Sequence, residues 1–159
     1  MGKLSQTETG TKRLRILLPI NAEEDSRWGI QYALRRHGEG KSVEVVLLHI
    51  GEPVTQWQVL RFRTQQEITE FQAARAEAFI EDASQALDAA GIQYSGLFRQ
   101  GELVFTILDA AEEQDCDEIV MPDQKSFLHG VFGHGIVAAV QRHQRSIPVV
   151  IVNSEGDSV

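Results

Sequence analysis

The sequence predicts an α/β fold, with a parallel sheet of five strands covered by helices on both faces. Short apolar runs, typical of strands that are buried on both sides, alternate along the chain with longer stretches of helical spacing. Five strand patterns and four helix patterns alternate in this way, which favours a doubly wound sheet with right-handed crossovers. The 159 residues fit a single domain. Sheets of this kind bind ligands at the carboxyl ends of their strands.

The first half of the chain carries two strand patterns and two helix patterns. Residues 14–20 form a nearly continuous apolar run, and residues 43–50 form another. A helix is predicted between them over residues 25–37, because the aspartate and the serine at its start are both suitable N-caps. A long helix rich in Ala, Glu and Gln is predicted over residues 64–90, and Gly91 is its stop signal.

The second half continues the alternation. Residues 92–99 form a third strand pattern that is less apolar than the first two, which predicts a position near an edge of the sheet. A helix follows Gly101, and residues 117–122 read as a buried strand. A glycine-containing loop, a final helix and the apolar run at residues 147–152 complete the pattern.

Composition and charge limit the setting and the partners. The polar ends, residues 1–12 and 153–159, are expected to be flexible tails. Cys116 is the only cysteine and the start of the chain has no apolar signal sequence, which together favour the cytoplasm. The formal net charge of −8 disfavours binding to nucleic acid or anionic lipid. No apolar run approaches the roughly 20 residues that a membrane span needs, so no membrane partner is expected.

Six short segments extend over nearly the whole chain: residues 16–21 (ILLPIN), 25–26 with 32–34 (DS and YAL), 47–50 (LLHI), 99–102 (RQGE), 116–121 (CDEIVM) and 147–152 (IPVVIV). They resemble the universal stress protein family, in the family's order and with its spacing. The family's counterparts are ILVPVD, its first helix, LLHV, RxG(D/E), ADLIVM and CPVLVV. No one segment is distinctive alone, but their collinearity is.

The resemblance implies a fold, domain limits and an assembly. The fold is Rossmann-like, of the adenine nucleotide α-hydrolase-like type, with strand order 3-2-1-4-5 and one domain over residues 13–152. The family usually assembles as a homodimer through its last strand. An apolar edge strand also favours pairing with a second copy, because its backbone groups are otherwise unpaired. The residues expected at this interface are Val149, Val150, Ile151 and Val152.

The loop after the fourth strand bears on nucleotide binding. Glycines let backbone N–H groups approach a phosphate at a helix N-terminus, and the loop contains Gly130, Gly133 and Gly135. ATP-binding members of the family carry three glycines at fixed spacing, followed by Ser or Thr. In this chain those four positions are Pro122, Lys125, Gly135 and Ile136, so a single glycine matches. Asn21 also stands where an Asp commonly contacts the nucleotide.

Two functions follow as hypotheses. The first is a dimeric, non-catalytic binding and regulatory module of the stress response, with a degenerate nucleotide loop and no cofactor, catalytic residue or metal ligand. The alternative is an ATP-binding member with Mg²⁺ and slow ATP hydrolysis. Nearby carboxylates at residues 23–25 and Asp123 disfavour a triphosphate there. The nucleotide contacts of the alternative are Asn21, Lys125, Gly130, Gly133, Gly135 and Ile136.

Overall fold

The computed structural model describes residues 13–52, 63–123 and 135–159. In these residues five strands alternate with four α-helices, as the sequence predicted. The strands are β1 (Arg13–Pro19), β2 (Ser42–Gly51), β3 (Gln93–Gln100), β4 (Glu118–Pro122) and β5 (Val149–Val152). The helices are α1 (Trp28–Gly38), α2 (Gln65–Ala90), α3 (Leu103–Glu113) and α4 (Ile136–Arg142), and a 3₁₀ turn (Glu24–Arg27) precedes α1.

The five strands form one sheet with the order β3-β2-β1-β4-β5, and each neighbouring pair is parallel. The order implied by the resemblance is therefore confirmed. The apolar run at β1 marks the centre of the sheet, where Ile16 and Leu17 are fully buried. The more polar β3 lies at one edge, as predicted, and β5 lies at the other.

Two apolar layers hold the helices on the sheet. Successive side chains of a strand point to opposite faces, so Ile16 and Leu18 enter one layer and Leu17 enters the other. The first layer lies under α1 and α2, and Ile30 and Leu87 are buried in it. The second layer lies under α3 and α4. This arrangement leaves the carboxyl ends of the strands free for a site.

Helix ends follow local side-chain chemistry. Thr64 and Glu67 form a capping box at the start of α2, and Gly91 ends that helix with φ of 73°. The first helix begins later than predicted, because a 3₁₀ turn occupies residues 24–27. Ser26 does not act as an α-helix N-cap, since its hydroxyl is bound within the loop that precedes it.

The two predicted tails have different outcomes. Residues 1–12 lie outside the described residues. Residues 153–159 form a turn whose end pairs with β5, where Val152 and Ser158 form an antiparallel bridge. In the ranges that the structure describes, no helix combines the length and the apolar character needed to cross a membrane.

Candidate functional site

One cavity lies at the carboxyl ends of β1 and β2, a position where folds of this class bind ligands. We call it the β1–β2 cavity; its volume is about 440 Å³. Its floor is formed by the strand ends and the loop after β1, from Pro19 to Glu23. One face of α2 forms a wall of the cavity, and it carries Gln72, Arg75 and Phe79 at spacings of three and four residues.

The loop after β1 is held by its own side chains. The Asn21 Oδ1 atom accepts a hydrogen bond of 2.8 Å from the Glu23 backbone N–H. The Ser26 hydroxyl accepts a bond from the Asn21 N–H at 3.2 Å and donates to the Glu23 carbonyl at 2.7 Å. Asn21, a predicted nucleotide contact, lines this cavity, and its carboxamide oxygen is engaged in an Asx turn.

His49 is fixed in one orientation at the end of β2. Its Nδ1 atom lies 2.9 Å from the Ile20 carbonyl oxygen, so Nδ1 carries the proton and donates. Its ring lies 5.0 Å from that of Phe79 and 6.4 Å from that of Phe98, measured between centroids. Burial lowers the pKa of His49, and the nearby Arg75 lowers it further. Neutral His49 presents Nε2 as a hydrogen-bond acceptor.

The wall that α2 forms carries a cation, Arg75, and a side-chain amide, Gln72, that is part of a hydrogen-bond network. The Arg75 guanidinium lies over the rings of Phe79 and Phe71, 5.3 and 5.8 Å from their centroids. Gln72 donates to the Glu52 carbonyl at 3.0 Å and accepts from Gln100 at 2.7 Å. Among the described residues, the lining thus combines aromatic surface, the Arg75 cation, the carboxylates of Glu23 and Glu52 and fixed polar groups, which suits a planar polar ligand.

A buried carboxylate lies in the 3₁₀ turn behind this loop. Asp25 is 6% exposed, and its Oδ1 atom has no hydrogen-bond partner among the described residues. Burial raises the pKa of Asp25, and the charges of Glu23 and Glu24 raise it further. The ionised form of Asp25 is therefore disfavoured in the folded protein.

A second cavity, of about 400 Å³, lies at the carboxyl ends of β4 and β5, and we call it the β4–β5 cavity. Asp123, Gly135 and Ile151 are among its lining residues. Gly135 is the N-cap of α4 with φ of 81°, and Ile136 is the first residue of that helix. Gly135 has no side chain that could cap this N-terminus, and the helix has seven residues.

The predicted nucleotide contacts are divided by the structure. Asn21 lines the β1–β2 cavity, whereas Gly135 lines the β4–β5 cavity, so these two residues do not share a cavity in the described part of the chain. Glu23 and Asp123 were expected near the same strand ends, but Glu23 lines the β1–β2 cavity and Asp123 lines the β4–β5 cavity. Lys125, Gly130 and Gly133 lie outside the described residues.

Several site residues were not predicted from the sequence. His49 was assigned to a strand, and Arg75 and Phe79 belong to a helix whose charges were read as a solvated surface. The signal that could have found them is the spacing of Gln72, Arg75 and Phe79, which places all three on one face of a helix.

Cys116 is confirmed as a small buried residue. It is 6% exposed in the layer under α3. Burial raises the pKa of its thiol to about 11, so the reactive thiolate is scarce at neutral pH. It precedes β4 at the amino end of that strand, so it is remote from both cavities.

Fold and cavity together define the class of protein: a Rossmann-like α/β domain with a cavity at the carboxyl ends of parallel strands. The model of the "Universal stress protein family" matches residues 12–153, and the chain therefore belongs to that family. Comparison with curated proteins returns no match.

Solved structures of the family share the fold at low sequence identity. Universal stress protein UspA from Lactobacillus plantarum is 16% identical with a TM-score of 0.63, covering 87% of this chain and 96% of that one. An Arabidopsis thaliana family member with AMP bound is 13% identical with a TM-score of 0.62, covering 88% and 91%. A universal stress protein in complex with cAMP is 15% identical with a TM-score of 0.64, covering 89% and 97%.

Proposed function

We propose that this chain is a non-catalytic binding and regulatory module of the stress response in the cytoplasm, that it does not depend on ATP, and that it pairs as a homodimer through β5. One observation carries the independence from ATP. Within the described residues, the end of β4 offers no backbone donor to a phosphate, because Pro122 lacks an N–H and the Asp123 N–H donates to the Val152 carbonyl at 2.8 Å.

Other features of the described β4–β5 half also fail to fit a triphosphate. The N-terminus of α4 has no capping hydroxyl, because Ile136 occupies the position of the family's Ser or Thr. The helix is short, so few aligned peptide dipoles face an anion. Asp123 brings a carboxylate to the cavity that Gly135 lines.

The absence of catalysis is argued from the chemistry of the β1–β2 cavity. A general base needs a pKa near the working pH, and burial moves the pKa of His49 below its usual value. Its other ring nitrogen is committed to the Ile20 carbonyl, so His49 is suited to recognition. Within the described residues, no Ser or Cys lies beside it as a nucleophile.

The homodimer is argued from the position of β5 at the edge of the sheet. Val149, Val150 and Ile151 are only partly buried within one copy. Pairing through an edge strand satisfies backbone groups and covers apolar side chains together. Light scattering at micromolar concentration should report a mass of two chains, and a single-chain mass throughout would contradict this part of the proposal.

The alternative function is binding of an adenine nucleotide, with slow hydrolysis if ATP and Mg²⁺ bind. Two family members, solved with AMP and with cAMP, favour it. So does the β1–β2 cavity, whose aromatic wall, neutral His49 and Arg75 suit a base and one phosphate. The predicted contacts Asn21, Lys125, Gly130, Gly133, Gly135 and Ile136 would hold the remainder of the nucleotide.

Released nucleotide and thermal stability separate the two functions. Purified protein is denatured, and the supernatant is examined for adenine nucleotides by chromatography. Melting is then followed with ATP and Mg²⁺, with AMP and with cAMP at millimolar concentration. A ligand at 100 times its Kd adds about 2.7 kcal/mol to the free energy of unfolding, which raises Tm by several degrees.

We expect no bound nucleotide and no shift with ATP and Mg²⁺. Nucleotide released in near-stoichiometric amount contradicts the proposal and establishes the alternative. For any ligand that raises Tm, the Arg75→Gln variant locates the site, because it removes the cation from the β1–β2 cavity. Arg13→Gln is the matched control, since Arg13 lies at the amino end of β1, and the cavity lies at the carboxyl end of that strand.

A further inference from the structure

The outer edge of β5 is partly occupied by the chain itself. Alternate residues of a strand point their backbone groups to opposite sides. The Val152 carbonyl accepts from Asp123 N–H and the Pro148 carbonyl from Ile119 N–H, so residues 148, 150 and 152 face β4. Residues 149, 151 and 153 therefore face outward, where a second strand would pair.

Three of these outward groups are already bonded. The Ile151 carbonyl accepts a bond of 2.9 Å from the Val159 N–H, and the Asn153 N–H donates to the Asp157 carbonyl at 3.0 Å. The Val149 N–H donates to the side-chain oxygen of Gln144 at 3.1 Å. The backbone at residues 157–159 thus lies where the strand of a partner would lie.

We call residues 153–159 the C-terminal hook. Its turn is closed by the Asn153 Oδ1 atom, which accepts from the Glu155 N–H at 2.9 Å and from the Asp157 N–H at 3.0 Å. The Gly156 N–H donates to the Asn153 carbonyl at 3.0 Å. This local bonding turns the chain back along β5.

Two contacts anchor the hook on α1. Gly156 is buried with φ of 82°, and a Cβ atom there would lie 2.6 Å from backbone atoms of Gln31 and Tyr32. Only glycine fits this approach. Arg35 and Asp157 form an ion pair of 2.6 Å in which both side chains are substantially exposed. We expect these two contacts to hold the hook on α1 reversibly.

We propose that the C-terminal hook and a second copy of this chain compete for the outer edge of β5, so that release of the hook controls pairing. The inference rests on the proposed homodimer. Neighbouring strands lie about 4.8 Å apart, so the hook and a partner strand cannot occupy the edge together. The hooked form is then the unpaired form, and loss of either anchor favours the dimer.

The test uses the full chain and two pairs of variants. Gly156→Ala removes the fit against α1, and Gly40→Ala is its control, because Gly40 has φ of 90° with nothing near the added Cβ. Asp157→Arg replaces the ion pair with a repulsion. The double variant Arg35→Asp with Asp157→Arg restores the attraction with the charges exchanged.

Sedimentation over a range of concentrations gives the dimer Kd, and amide hydrogen exchange at Asn153 in dilute protein reports whether the hook is closed. We expect Gly156→Ala to tighten the dimer about tenfold or more and Asp157→Arg to tighten it less. Gly40→Ala and the double charge exchange should retain the wild-type Kd. Exchange at Asn153 should rise only in the two variants that release the hook.

Each remaining outcome overturns a different statement. A dimer with one Kd in every variant, while Asn153 exchange rises in Gly156→Ala, refutes the competition and leaves the proposed homodimer standing. A monomer at every concentration in every variant refutes the homodimer itself. Exchange at Asn153 that is equally fast in the wild type and in Gly156→Ala shows that the hook does not close.

Discussion

The carboxyl edge of the sheet has two halves, and they differ in how their polar groups are held. At the β1–β2 half, Asn21, Ser26 and His49 are each tied to a neighbouring backbone by a hydrogen bond. At the β4–β5 half, among the described residues, Pro122 supplies no N–H and α4 begins at Gly135, which has no side chain to cap it. The described residues of the first half therefore present fixed polar groups at their cavity, and those of the second half present few.

This difference teaches that the fold and the phosphate cradle are separable. The layers under the helices require apolar side chains at β4 and β5, and those are present. A cradle requires donors after β4, and the described backbone there uses its first N–H within the sheet. A family fold can therefore persist where the described part of its nucleotide loop has lost donors.

The largest effect should come from truncating the floor of the β1–β2 cavity. Leu48→Ala should lower the free energy of unfolding by about 2–5 kcal/mol, because Leu48 is fully buried and the truncation leaves a void. Ile151→Ala at the β4–β5 half should cost about half as much, since Ile151 is only partly buried. Urea denaturation measures both, and equal costs would contradict the effect of the difference in burial between Leu48 and Ile151.

An intermediate effect of opposite sign is expected at Asp25. Its pKa is raised in the folded protein, so its ionised form is disfavoured by folding. Asp25→Asn should therefore raise the free energy of unfolding at pH 7 by about 1 kcal/mol. The gain should vanish below about pH 3.8, where the unfolded carboxyl is also protonated.

Glu24→Gln is the control for Asp25→Asn. Glu24 is exposed, and its charge raises the pKa of Asp25 less than burial does. Glu24→Gln should therefore raise the free energy of unfolding less than Asp25→Asn does. If Asp25→Asn destabilises the protein at pH 7, the buried carboxylate has a stabilising partner, and the β1–β2 half is organised around that charge.

The smallest effect should be a change in pH dependence at His49. Its folded pKa lies below the unfolded value of about 6.5, so the unfolded chain binds more protons between the two values. The contribution of neutral His49 to the free energy of unfolding is complete above about pH 6.5. It declines as the pH falls toward the folded pKa. The slope from one proton cannot exceed about 1.4 kcal/mol per pH unit.

His49→Asn should flatten the profile of unfolding free energy below pH 6.5 relative to the wild type. His37→Gln, at an exposed position near the end of α1, should leave the profile unchanged. If His49→Asn and the wild type lose stability in parallel, His49 is not held neutral by burial.

Most of the fold could be predicted from the sequence because its signals are local. Apolar runs fixed the strands, and Thr64 and Gly91 marked the ends of α2 through chemistry confined to a few residues. The polarity of β3 placed it at an edge. The strand order, by contrast, depended on the family resemblance, since spacing alone does not order a parallel sheet.

The candidate site was less predictable because its contacts join distant segments. Asn21, predicted as a nucleotide contact, lines the β1–β2 cavity, but its bond to the Glu23 backbone could not be read from residue types. His49 meets Phe79 and Phe98 only after three elements have packed. The hook has the polar composition of a tail, and contacts with distant residues distinguish it from one, among them the fit of Gly156 against α1 and the ion pair between Asp157 and Arg35.

Val159 of the C-terminal hook also lines the β4–β5 cavity, which gives that cavity a thermodynamic role. A molecule that binds there against Val159 has a different affinity for the hooked and the released chain. Under the competition proposed above, linkage requires that hook closure and occupancy strengthen each other, and that dimer formation and occupancy weaken each other by the same factor. On that proposal, the β4–β5 cavity reports on assembly, whatever its affinity for a nucleotide.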